Sequence, residues 1–344
     1  MSLSNVLKTI DQTLQDFDYS GAVLISSKWK ILFKKSYGYS NQELNVQNKT
    51  DSVFRIASIT KQITAAAILI LVEQDLISLT DPISKYIEDY PNGEQITVHH
   101  LLANSSGIEG FSLDSDFHDA LKSESPTKSL ISMFSSLPLR FKPGTQFEYS
   151  ISGYLLLGYL IELVSKMNYI DFLRKTIFEP LEMKNSDFDD YRKVIPNRAQ
   201  GYDLVNGVIQ NAWFVDMRIA GGGGALLSTV EDLHRWNHAL YSQRVIGKPY
   251  FDLMISPQIK IIDSTDYGYG IFLEKEDSKG MLRRKYYHTG GGPGVRSVNS
   301  IYPDEEIEII LLSNVNDNKR FSKVEETIER IVFENLVPLL NKEN

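Results

Sequence analysis

The sequence predicts an α/β protein of the α+β type. An antiparallel sheet is flanked by N- and C-terminal helices, and a mostly helical second lobe is added to it. Two observations carry this. Strand-like patterns sit at both ends of the chain, while the middle is dense in turn signals and helical periodicity. The chain has 344 residues, 42% hydrophobic and 23% charged, enough apolar material for one large domain or two packed lobes.

Residues 3–17 space Leu3, Val6, Leu7, Ile10, Leu14 and Phe17 at helical intervals. Gly21–Ser26 and Ile31–Tyr39 read as strands joined in a hairpin at Ser27–Lys30. Ser52–Ile56 is strand-like, and 57–75 reads as an apolar helix through Ile63, Ala66, Ile70 and Leu71. From 80 to 225, Asp81-Pro82, Pro91-Asn92-Gly93, Ser106-Gly107 and Pro143-Gly144 punctuate helical patterns, notably 152–166 and 169–178. An amphipathic helix over 228–242 has Ser228 or Thr229 as its cap, with Glu231 and Asp232 in its first turn. Strands return at 268–274, 284–289, 295–302 and 306–313, and a closing helix runs from Arg320. The economical arrangement joins 1–79 and 226–344 into one discontinuous α/β sheet domain. Residues 80–225 form the helical domain, and the active site lies in the cleft between them.

Composition narrows the function. The net charge is −8, and Lys28–Lys30 and Arg283–Lys285 are short basic groups inside strand-like sequence, so no nucleic-acid partner is expected. With no cysteine, disulfides, thiolate metal sites and a Cys nucleophile are excluded. No stretch reaches the roughly 18 apolar residues of a membrane span. The first residues lack the basic start and long apolar core of a signal peptide. As it stands the sequence reads as cytoplasmic, with export left open if a leader has been removed. It does not reveal an oligomeric state.

The chemistry centres on Ser-x-x-Lys, which places two side chains on one helix face. A serine hydroxyl needs a base, and a partly desolvated lysine can serve. The spacing occurs three times, at Ser27/Lys30, Ser125/Lys128 and Ser58/Lys61. Ser27 lies in a hairpin turn and Ser125 precedes Pro126, so only Ser58 opens a long apolar helix after a strand. Tyr149 stands at a loop–helix junction, where a phenol can relay a proton. His288-Thr289-Gly290-Gly291-Gly292-Pro293-Gly294 ends a strand, whose edge offers a free N–H to an oxyanion. His234 and His238 have metal-like i, i+4 spacing, but Leu233 and Trp236 read as packing, and neither metal nor cofactor is expected. The run Gly221–Gly224 lacks the Gly-Lys-Ser/Thr of a phosphate loop.

Together these residues resemble the serine beta-lactamase and penicillin-binding protein superfamily, in its class C beta-lactamase and D-Ala-D-Ala carboxypeptidase branch with related esterases. The resemblance spans roughly residues 19–315. It includes Phe54-Arg-Ile-Ala-Ser-Ile-Thr-Lys61, Leu101-Leu-Ala-Asn-Ser-Ser-Gly107, Gly153-Tyr-Leu-Leu-Leu-Gly158 and Gly221-Gly-Gly-Gly-Ala-Leu-Leu-Ser-Thr229. It implies a beta-lactamase/transpeptidase-like fold and an acyl-enzyme at Ser58, with protons moved by Lys61 and Tyr149. It implies an oxyanion hole from the backbone N–H groups of Ser58 and Gly291. His288, Thr289 and Gly290 would line the substrate edge, and Gly221–Gly224 a wall near the cleft.

Two positions depart from the family pattern. Ile151 stands where Tyr-x-Asn enzymes carry the Asn that reads a substrate amide, which pulls toward esters. His288 stands where many members carry Lys, so carboxylate binding is expected to be weak and pH-dependent near neutrality. The expected substrate is a small molecule or peptide with an amide or ester acyl group. A D-Ala carboxypeptidase-like or D-amino peptidase-like hydrolase competes with a carboxylesterase. A catalytically inactive scaffold or sensor on the same fold is the alternative of another class.

Overall fold

The computed structural model describes residues 2–110, 117–123, 126–278 and 281–342. Its main sheet has eight strands: β1 (Gly21–Ser27), β2 (Lys30–Tyr37), β3 (Ile259–Ile262), β4 (Thr265–Tyr267), β5 (Phe272–Ser278), β6 (Met281–Gly292), β7 (Val295–Tyr302) and β8 (Ile307–Ser313). Their spatial order is β3-β4-β5-β6-β7-β8-β1-β2, antiparallel throughout. The two ends of the chain therefore meet at β8 and β1, where Gly21 pairs with Ser313 and Ser27 with Ile307.

These two strands, β8 and β1, are buried on both faces, which explains their near-continuous apolar sequences. On one face, Val23, Ile25, Ile309 and Leu311 pack against helices α1 (Leu3–Asp16) and α5 (Asn318–Ile331) through Val6, Ile10, Leu14, Val324 and Ile328. The opposite face, with Ala22, Leu24, Ile310 and Leu312, meets α2 (Thr60–Glu73), α3 (Ile151–Ser165) and α4 (Val230–Tyr241) in the larger core. Every α2 residue from Thr60 to Leu71 is buried, so the helix is held by packing all round rather than by one amphipathic stripe.

Between 80 and 225 the described residues form mostly short helices joined by long loops, with a hairpin, Tyr202–Val205 with Val208–Asn211. A three-stranded sheet of two- and three-residue strands links this part to the rest: Leu226–Ser228 lies between Phe54–Arg55 and Asp187–Phe188. Buried Asp189 reinforces the link, bonded by Arg55 at 2.7 Å and Arg198 at 2.6 Å.

Several boundaries differ from the sequence expectation. The predicted helix over 57–75 begins as a 3-10 turn, Ala57–Ile59, and becomes α-helical only at Thr60. Ser58 therefore caps nothing; its hydroxyl is left for Lys61. The strand expected at 284–289 runs on to Gly292, because pairing with β7 carries the glycines into the ladder. Of the two rival serines, Ser27 closes the β1–β2 hairpin opposite Lys30, and Ser125 lies outside the described residues.

Candidate active site

Ser58 sits in the turn between Phe54–Arg55 and α2. The residue before it, Ala57, is held at φ +45°, a left-handed conformation that costs a non-glycine residue about 1–3 kcal/mol. The turn is anchored from the sheet, where Ser297 of β7 donates its hydroxyl to Ile56 O at 3.0 Å. Gly290 of β6 must be glycine here, since a Cβ would lie 2.4 Å from Ile56 O and 2.2 Å from Ser297 Oγ.

In the first turn of α2, Lys61 is completely buried. Its Nζ donates to Gly223 O at 2.7 Å and to Ser58 Oγ at 3.3 Å, and lies 4.5 Å from the centre of the Tyr149 ring. Among the described residues no carboxylate bonds it, and burial lowers its pKa to about 7. Thr64, a turn further on, donates to Gly222 O at 2.6 Å. Gly222 also abuts α3, where a Cβ would lie 2.7 Å from Tyr154 O. The glycine run thus lets a backbone pass between two helices and offer its carbonyls to α2.

Tyr149 ends the loop before α3, whose cap is Ser150, accepting from Gly153 N at 3.1 Å. Its residue surface is 38% exposed. The hydroxyl nevertheless faces inward: burial pushes the phenol well above its usual range, and a hydrogen bond with Ser58 pulls it partly back. The hydroxyl's surroundings, not the exposed ring, govern its titration.

β5 begins at Phe272, paired with Tyr287, so His288–Gly292 has β7 on one side and an open edge on the other. Gly292 closes the turn against Val295. By the alternation of an antiparallel ladder, the N–H of Gly291 then points to the open edge, and Gly291 and Ser58 line the same pocket.

His288 departs from expectation. It is buried, its Nδ1 donates to Thr289 O at 2.6 Å, and its Nε2 accepts from Tyr267 at 3.3 Å. Both partners suit the neutral ring, with the proton assigned to Nδ1 from the carbonyl it meets. Burial first, then the nearby Lys61 charge, pushes its pKa down to about 3. The expected titration of a His288 cation near neutral pH is therefore corrected: the ring is uncharged throughout that range.

A narrow pocket of about 40 Å³ adjoins Ser58, walled by Ile151, Val215, Met217, Ile219 and Gly223 and rimmed by Gly291–Pro293. Val215, Met217 and Ile219 were not anticipated; they sit around a 3-10 turn, Met217–Ile219, which carries no periodicity to read. A separate cavity of about 720 Å³ reaches Gly221 and Gly222 but none of Ser58, Lys61, Tyr149 or His288. The convergence of Ser58, Lys61 and Tyr149, not cavity size, marks the candidate site. His234 bonds Glu308 at 2.5 Å and His238 stacks on Trp29, so neither faces the other as a ligand pair. Among the described residues no group of three His, Asp or Glu side chains is arranged to hold a metal, and no helix is long and apolar enough to cross a membrane.

Comparison with known proteins identifies the family. The family model described as Beta-lactamase matches residues 8–332. The chain belongs to the beta-lactamase family. By that membership it is a serine hydrolase with the beta-lactamase/transpeptidase-like fold. Penicillin-binding protein 4* of Bacillus subtilis is 28% identical over 346 residues, covering 95% of this chain and 75% of that protein. The penicillin-binding protein of Bacillus halodurans superimposes with a TM-score of 0.81 at 25% identity, over 94% of this chain and 98% of that one. D-amino acid amidase from Ochrobactrum anthropi shares the fold, with a TM-score of 0.84 at 22% identity over the whole of both chains. An octameric penicillin-binding protein homologue from Pyrococcus abyssi has a TM-score of 0.77 at 28% identity, over 92% of this chain and 74% of its own.

Proposed function

We propose that this beta-lactamase-family protein hydrolyses amide or ester acyl groups through an acyl-enzyme at Ser58. The observation that carries the reading is Lys61: fully buried, without a carboxylate, its pKa lowered to about 7, and 3.3 Å from the hydroxyl it would deprotonate. A lysine in that state is a base at working pH.

In acylation, Ser58 Oγ attacks the carbonyl carbon and its proton passes to Lys61. The carbonyl oxygen becomes an oxyanion, held by the N–H groups of Ser58 and Gly291. Collapse breaks the bond to the leaving group, which takes the proton through Lys61 or Tyr149. Water then attacks the ester carbon and Ser58 regains a proton. His288, neutral and packed edge-on to Tyr267 and tilted against Phe272, shapes the wall rather than binding charge. Thr289 and Gly290 supply the substrate edge, and Ile151 replaces an amide reader with an apolar surface. The lobes 80–225 and 1–79 with 226–344 meet around this site.

The relatives named as penicillin-binding proteins make a peptidase-like or penicillin-acylated site one form of this activity. Ile151 favours the carboxylesterase form. A fluorophosphonate and a fluorescent penicillin, each tested beside Ser58→Ala, check the reading. Labelling lost in the mutant supports it, and labelling by neither probe in the wild type overturns it. Fluorophosphonate alone indicates the esterase form.

A further inference from the structure

The pocket beside Ser58 has a definite side. Lys61, Tyr149 and His288 do not line it. A leaving group must collect a proton from Lys61 or Tyr149, so it departs at their end of the site. The pocket is then left for the group on the other side of the scissile carbonyl. Among the described residues its wall has no ionisable side chain: Ile151, Val215, Met217, Ile219, Pro293 and Val295 are apolar, and Gly223 contributes backbone. A volume of about 40 Å³ holds roughly three water-sized spheres.

We propose that this is an acyl-chain pocket selecting short, uncharged aliphatic acyl groups, with about three carbons beyond the carbonyl, and that Met217 sets its length. The inference rests on Ser58 being the acylated residue. A charged acyl terminus has no partner there, because His288 is neutral and the wall offers no cation; a buried carboxylate without a partner is strongly disfavoured. Met217 is unbranched and adaptable, so the upper limit on length is graded. Removing its side chain extends the pocket, and a larger ring in its place fills it.

The test uses p-nitrophenyl esters, which keep one leaving group while the acyl chain varies. Relative to spontaneous hydrolysis, kcat/KM is expected to peak at butyrate and to fall roughly tenfold or more by octanoate. The p-nitrophenyl monoester of succinic acid, whose carboxylate falls on the third carbon beyond the carbonyl, should react at least roughly tenfold more slowly than the butyrate once its own spontaneous hydrolysis is subtracted. Met217→Ala should move the optimum to longer chains, and Met217→Phe should keep acetate while losing butyrate. Fluorophosphonate labelling of each variant reports an intact Ser58. Labelled protein with rates independent of chain length, or an optimum unmoved in both Met217 variants, overturns the pocket and leaves the nucleophile standing. Wild-type protein that takes no label overturns both.

Discussion

Two lysines in this protein are withdrawn from water and end in opposite states. Lys61 is fully buried beside Ser58 with a carbonyl, a hydroxyl and two aromatic rings around it. Lys285 of β6 lies against α5, bonded to Glu325 at 2.9 Å and Glu329 at 2.7 Å. Burial lowers both pKa values. At Lys285 the two carboxylates outweigh it and hold the ammonium well above its usual range. At Lys61 nothing opposes burial, and the value falls to about 7. Burial alone does not make a base; burial without a counterion does. One lysine ties sheet to helix, and the other is left able to take a proton.

Removing each amine should separate the roles. Lys61→Ala is expected to lower kcat/KM for a p-nitrophenyl ester roughly 10²–10⁴-fold while the protein stays folded. Lys285→Met leaves Glu325 and Glu329 facing each other without their cation and should cost about 3–5 kcal/mol of stability in urea unfolding. Its effect on turnover should follow only the loss of folded protein. A Lys61 variant that unfolds while keeping its rate, or a Lys285 variant that loses rate while keeping its stability, breaks the comparison.

The same contrast predicts a movable pKa. Wild-type kcat/KM should climb as Lys61 loses its proton, with an apparent pKa of about 7. Ile151 lies against Gly223, whose carbonyl accepts from Lys61. Ile151→Asp brings a carboxylate to this lysine and should raise the apparent pKa by about 1–3 units. A pH–rate profile unmoved by this substitution assigns the titration to another group.

How much of this was legible in the sequence follows from how local each feature is. Ser58 and Lys61 could be named as candidates because i, i+3 spacing and a helix start are local facts, whereas Tyr149 is more than 80 residues away and was named through the family resemblance. The terminal strands were readable because β1 and β8 each carry a short, mostly apolar run, Ala22–Ile25 and Ile309–Leu312. Strands Ile259–Ile262 and Thr265–Tyr267 escaped because they are short and sit at the sheet edge. The run through Gly290–Gly292 carries no strand propensity; its partner β7 makes it a strand. The charge of His288 depends on Tyr267 and Phe272, which only the fold brings to it. The wall formed by Val215, Met217 and Ile219 leaves no periodic trace.

The smallest expected effect is also the least intuitive, because it reverses the usual sign of a mutation. Lys61 carries a folded-state pKa of about 7, below its ordinary 10.5. Between those values the unfolded chain binds a proton that the folded chain does not, so stability rises with pH across that window. Below pH 7 the folded protein must hold a buried ammonium, and the full cost is present. Lys61→Met removes that cost but leaves the carbonyl of Gly223 without its donor, which returns part of the gain. The net expectation is a protein about 1–2 kcal/mol more stable than wild type at pH 6, with the advantage shrinking toward pH 10. Lys285→Met should be less stable than wild type at both pH values. Urea midpoints for the two variants at pH 6 and pH 9 decide it: a Lys61→Met protein that is equally destabilised at both would mean the buried amine supports the fold, and the contrast between the two lysines would fail.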